Sequence, residues 1–117
     1  MTRLWLGVDP SDLCDEHLLG EHSEMHQEVG TWKRHPHGEA VVEGHVEKAQ
    51  VAPRMIRDRH GDLAAEMEAR GFNHDSPLEG FDPDAMPQPT SDAMNGIHEA
   101  NRDRLRRRCD DCETGVA

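Results

Sequence analysis

Apolar side chains recur along the first third of the chain at helical rather than alternating intervals. Cys14, Leu18, Met25, Val29 and Trp32 fall at steps of three, four and seven residues, which is one stripe of a helix. Asp9-Pro10-Ser11-Asp12 stands just ahead of the stripe. It combines capping oxygens, a proline suited to a first turn and acids where the helix dipole favours them. The pattern predicts a helix over residues 10–29. His17, Glu21, Glu24 and Glu28 form a second stripe on it, which by pattern alone is the solvated face. His17 and Glu24 are nearly two turns apart, so they point the same way at a separation of about 10 Å.

Residues 30–44 read as a connector with a turn at "HPHGE". The stretch "VEGHVEKAQV" fits a short strand or an extended loop equally well. A second helix is predicted over residues 53–70, with Ile56, Leu63, Ala64 and Met67 facing inward. Gly71 follows it as a left-handed cap, and Phe72 is placed for the apolar contact of a Schellman ending. Residues 73–90, rich in Pro, Asp and Gly, read as an irregular linker. Ser91 caps a third helix that runs to residue 108, with Met94, Ile97, Asn101 and Leu105 on one side. The fold expected is all-α: one compact domain over residues 1–108, about three helices with little or no sheet, and a flexible tail at 109–117.

The 117 residues suffice for a single core, and with only four Phe or Trp side chains that core rests on Leu, Val, Met and Ala. No apolar run approaches the roughly 18 residues of a membrane span. The start is too short and too acidic for a signal peptide, so a cytoplasmic location without membrane contact is expected. The net charge of −11 argues at first against a polyanionic partner. However, only Lys33 and Lys48 among the 13 basic residues are lysines. Abundant acids with scarce lysine are what a salty cytoplasm selects, and at about 1 M salt the Debye length is only about 3 Å, which nearly erases surface repulsion. The segment "RDRLRRR" gathers five of the basic residues at the end of the third helix, where they also suit the dipole.

Three cysteines without a signal peptide do not make a disulfide framework. Cys14 reads as a small core residue. Cys109 and Cys112 are half of a zinc site, with no histidine nearby at zinc-finger spacing, and are expected to be reduced thiols in a loose tail. His35 and His37, flanking a proline, are a poor metal pair. No metal or cofactor is expected.

The N-terminal block resembles the start of the pyrimidine-dimer DNA glycosylase family, phage endonuclease V. That family opens Met-Thr-Arg and carries "D-x-H-L-x-x-E-x-x-E" on its first helix. Here the chain opens Met1-Thr2-Arg3, and the pattern is met by Asp15, His17, Leu18, Glu21 and Glu24. Gly44-His45-Val46 and "RHGDLAAEMEARGFNHDSPL" are similar to two further family segments, and "IHEANRDRL" to the family's "N-R-x-R" helix. The chain departs from the family at Ser23 and Gln27, where the family carries arginines, and lacks the aromatic tail.

The resemblance implies an all-α fold and a nucleophile at the N-terminal threonine, carried over to Thr2, with an essential glutamate carried over to Glu24. Arg3 and His17 match family residues near the phosphate and the lesion. Lys33, Arg34, Arg102 and Arg104 complete the expected DNA-binding set. A free α-amine titrates near about 7.7–8.0, against about 10.4 for lysine, so part of it is neutral and nucleophilic without burial. The small residue after Met1 predicts removal of the initiator. The substrate implied is double-stranded DNA with damaged pyrimidines or abasic sites, acted on by a monomer. Two other classes stay open: a non-catalytic nucleic-acid-binding module on the same scaffold, and a metal-binding protein using the nine histidines.

Overall fold

The computed structural model describes residues 3–48, 50–73, 78 and 80–112, the side chains of 91–97 excepted. Among these residues there are four α-helices and no strand: α1 (Asp15–Arg34), α2 (Gly38–Glu47), α3 (Ile56–Ala69) and α4 (Ser91–Arg108). Single 3-10 turns at Pro10–Asp12, Pro53–Met55 and Pro83–Ala85 join them. The all-α reading holds, with one helix more than expected. No helix among the described residues is long and apolar enough to cross a membrane.

The helix expected from residue 10 is interrupted. Asp9 caps only the 3-10 turn, its carboxylate accepting the Ser11 N–H at 2.9 Å. Leu13 then adopts an extended backbone and buries its side chain, and α1 begins at Asp15. The guanidinium of Arg70 explains why the break is stable. It donates to the carbonyls of Pro10 at 3.1 Å and Leu13 at 2.6 Å, groups a continuous helix would have used itself. At the other end α1 runs through Gly30 to Arg34, where Lys33 and Arg34 complement the dipole.

Residues 42–47 of the stretch whose pattern fits strand or loop equally well belong to helix α2. Val42 and Val46, four residues apart, bury one face of it, so packing overrides the β preference of valine. A Cβ on Gly38 would lie 2.6 Å from the Thr31 carbonyl oxygen, so glycine is what lets α2 start against the last turn of α1.

α3 ends as its sequence predicts. Gly71 has φ +85°, its N–H reaches the Glu68 carbonyl, and the Phe72 N–H reaches that of Met67, the paired bonds of a Schellman motif. Ile56, Leu63 and Met67 are buried as expected, as are Leu18, Met25 and Val29 on α1. α4 spans the predicted residues. Asn101 and Leu105 face inward, whereas the expectations for Met94 and Ile97 lie outside the described side chains.

α4 docks onto the N-terminal segment, whose Leu4, Leu6 and Val8 are buried at alternate positions. Fully buried Asn101 donates to the Leu4 and Leu6 carbonyls at 3.2 and 3.0 Å. These bonds satisfy backbone acceptors that no sheet partner would otherwise meet. Within the linker, Phe81, Pro83 and Met86 are buried, while residues 74–77 and 79 lie outside the described residues. Cys112 is buried, and residues 113–117 again lie outside.

Candidate active site

The second stripe of α1 is not a solvated face. Glu21 and Glu28 are each 1% exposed. Glu21 takes both forks of Arg59 on α3, at 2.7 and 2.9 Å, and Arg59 also donates to the Val8 carbonyl. Such a bidentate pair satisfies both charges geometrically, which burial demands. Glu28 meets Nδ1 of His45 on α2 at 2.8 Å. Burial pushes the Glu28 carboxyl above its ordinary range, the His45 contact opposes that, and nearby Glu24 adds to the rise.

Glu24 has a different fate. It is half-buried, and its Oε2 accepts the backbone N–H of Arg3 at 3.0 Å. It lines a cleft of about 340 Å³ together with Arg3, Trp5, His17, Arg104 and Arg108. The cleft exists because α4 crosses the N-terminal segment: Arg3 donates through Nη1 to Asn101, and its guanidinium lies 5.9 Å from the Trp5 ring. Arg104 and Arg108 lie one turn apart on α4 and so share a face. Burial, then repulsion from Arg104 and Arg108, holds the Arg3 pKa below its ordinary value, while Glu24 opposes this. The Nε atoms of Arg3 and Arg104 are shielded from solvent and meet no hydrogen-bond partner among the described residues.

His17 lies in the same cleft, its ring edge-on to Trp5 at 5.8 Å. Its Nδ1 also stands 3.1 Å from Cys14 Sγ and 3.5 Å from Cys112 Sγ. Arg3, His17, Glu24 and Arg104 are thus brought together. Lys33, Arg34 and Arg102 are not. Lys33 and Arg34 are exposed in the last turn of α1, outside the cleft lining. Arg102 lines a separate groove of about 720 Å³, where Asp9, Asp58, Asp62 and Glu66 are interspersed with Arg54 and Arg59, so its charge is partly met by carboxylates there. Thr2 lies outside the described residues. Sequence reasoning did not single out Trp5, and it reaches Arg108 only as the end of the basic run over residues 102–108. The i, i+4 step from Arg104 was the available signal for Arg108.

Two groups of side chains bring ligand atoms within 4.8 Å of one another: Cys14, His17, Cys109 and Cys112, and separately His22, His26 and His60. Neither includes Glu24. Glu16 and Glu21 also line the cleft, Glu21 already held by Arg59. Glu24 beside the three guanidinium groups of Arg3, Arg104 and Arg108 is an arrangement that can hold an anion and manage a proton or a transient positive charge next to it.

No curated protein and no solved structure matches the chain. A family model described as pyrimidine dimer DNA glycosylase matches residues 1–80, which span the N-terminal segment, α1, α2 and α3 and include Arg3, His17 and Glu24. That match covers more than half of the 117 residues, and the chain belongs to the pyrimidine dimer DNA glycosylase family.

Proposed function

We propose that this glycosylase excises damaged pyrimidines through the α-amine of Thr2, exposed by loss of Met1, and then nicks the strand as a lyase. The observation that carries this reading is the 3.0 Å bond from the Arg3 N–H to Glu24 Oε2. Residue 2 is covalently joined to that nitrogen, and three bonds limit its amine to about 3.7 Å from it. An amine at the start of the chain is therefore never far from this carboxylate.

The chemistry follows from those two groups. The neutral amine attacks sugar C1′ as the bond to the base breaks, and the departing base takes up a proton. Glu24 stabilises the positive charge that develops at the sugar. Ring opening gives an iminium, which acidifies the C2′ proton. Glu24 accepts that proton, and the 3′ phosphate leaves by β-elimination. Water then hydrolyses the imine and frees the amine. Arg3, Arg104 and Arg108 are suited to the phosphates flanking the lesion. The two Nε–H groups without partners are donors that phosphate oxygens would satisfy. The cations that the family carries on its first helix at 23 and 27 are replaced here by cations from α4. The enzyme acts as a monomer on DNA with damaged pyrimidines or abasic sites.

Borohydride trapping on abasic DNA tests the reading, because it bypasses lesion recognition. A reduced crosslink mapped to residue 2 is the expected result. One residue added ahead of Thr2 displaces the amine by about 3.5 Å and should nearly abolish trapping. A crosslink at Lys33 or Lys48 with the terminus acetylated overturns the mechanism. Absence of any crosslink in both low and molar salt, with DNA binding retained, makes the chain a binding module instead.

A further inference from the structure

We propose that Cys14, His17, Cys109 and Cys112 form a structural zinc site that fastens the segment after α4 to the first turn of α1. The inference stands independently of the mechanism proposed for Thr2.

The geometry is that of a tetrahedral site. With zinc–sulfur bonds of about 2.3 Å and zinc–nitrogen bonds of about 2.0 Å, ligand atoms sit about 3.5–3.8 Å apart along the edges of the tetrahedron. Cys14 Sγ is 3.9 Å from Cys109 Sγ, Cys112 Sγ is 3.5 Å from His17 Nδ1, and Cys14 Sγ is 3.1 Å from the same nitrogen. All four ligand atoms fall within 4.8 Å of one another. A disulfide is a poorer account. The sulfur–sulfur distance of 3.9 Å compares with about 2.05 Å for a bond, and a pairing would leave one thiol and an imidazole beside it without purpose.

The sequence spacing also fits. Cys14-x-x-His17 and Cys109-x-x-Cys112 are two-residue-spaced pairs of the kind that zinc sites combine. Cys14 is the residue before the first turn of α1, and its backbone N–H donates to Cys112 Sγ at 3.2 Å. A helix N-terminus favours thiolates, and a backbone N–H to sulfur is the outer-shell bond a metal-bound thiolate uses. Cys112 is buried, while Cys14 and Cys109 keep partial access for metal entry. Binding Zn²⁺ displaces three thiol protons to solvent and takes the lone pair of His17 Nδ1. Because the paired ligands are 95 residues or more apart, the ion closes nearly the whole chain into a loop.

The test uses full-length protein without an affinity tag, purified under reducing conditions. About one zinc per chain is expected after gel filtration. Replacement by Co²⁺ should give thiolate charge-transfer absorption and intense tetrahedral visible bands. Chelation should lower Tm by at least about 4 °C, restored by zinc. Cys109→Ser/Cys112→Ser should lose the metal and the thiolate band, whereas His60→Ala should keep both. The wild-type cobalt spectrum decides the matter even where the double variant folds poorly. A folded, fully reduced wild-type protein with no thiolate–cobalt band overturns the proposal. So does undiminished zinc in the double variant, which assigns the metal to His22, His26 and His60.

Discussion

The backbone N–H of Arg3 donates to Glu24 Oε2 over 3.0 Å, so the carboxylate on α1 is tied to the residue that follows Thr2 in the chain. That bond uses only one of the two carboxylate oxygens. Glu24→Gln keeps an oxygen to accept the Arg3 N–H but can neither accept a proton nor stabilise a cation as a carboxylate does. The fold, followed by circular dichroism, should be unchanged. Nicking of an abasic oligonucleotide should fall by about 10²-fold or more. Full activity in the variant would remove Glu24 from the chemistry.

Arg104 and Arg108 share the Glu24 cleft, whereas Arg102 lines the separate groove with its mixed carboxylates and guanidinium groups. Replacing Arg104 and Arg108 by Gln should weaken DNA binding, and each lost phosphate contact should flatten the log–log salt slope by about 0.9. Arg102→Gln should leave the slope unaltered. Binding isotherms at several salt concentrations separate the two faces of α4. An equal effect from all three would mean that the field of the whole helix matters, not the cleft.

The Glu21–Arg59 pair is buried on both sides. Arg59→Met leaves a carboxylate without its partner in the interior and should cost about 3–5 kcal/mol, read as a lower urea midpoint. The double change Glu21→Leu/Arg59→Met removes both charges and should recover most of that loss. Failure to recover would show that the bond to the Val8 carbonyl, rather than the ion pair, is the main contribution of Arg59.

Glu28 titrates above the ordinary glutamate value of 4.5, chiefly because it is buried, with His45 opposing the rise and Glu24 adding to it. A raised folded pKa means that the native state holds its proton longer than the unfolded chain. Its contribution to stability is therefore full below pH 4.5 and is lost as pH rises through the folded pKa. Glu28→Gln has no such proton to lose. Relative to wild type, the variant should gain stability as pH increases from 4.5, measured by urea unfolding across that range. A constant difference would show that His45 offsets the burial of the carboxylate.

Where a local signal was sufficient, the sequence was legible. The Gly71–Phe72 ending and the buried stripes of α1 and α3 were readable from neighbours a few residues away. α2 was not, because its valines favour a strand until Val42 and Val46 find the core. The acidic stripe of α1 was misread for a different reason. Glu21 is buried only because Arg59 lies opposite, 38 residues later, and no pattern within one helix carries that information. Arg3 and Glu24 could be paired through resemblance, and the cleft brings them together. The split of Arg102 from Arg104 depends on how α4 is rotated over the N-terminal segment, which a cluster of arginines does not reveal.

Four positions on one edge of α1 each meet a different partner: His17 the cysteines, Glu21 the guanidinium of Arg59, Glu24 the amide of Arg3, and Glu28 the imidazole of His45. The helix behaves like the bit of a key, in which the order and angular position of the teeth matter together. A single residue inserted between His17 and Glu21 turns everything beyond it by about 100° and advances it by about 1.5 Å. Every tooth past the insertion then misses its ward, and two of the misplaced teeth are carboxylates that need buried partners. A change of length should therefore be tolerated at a joint such as residues 35–37 between α1 and α2 and not within the bit, where spacing matters more than the identity of the intervening residues.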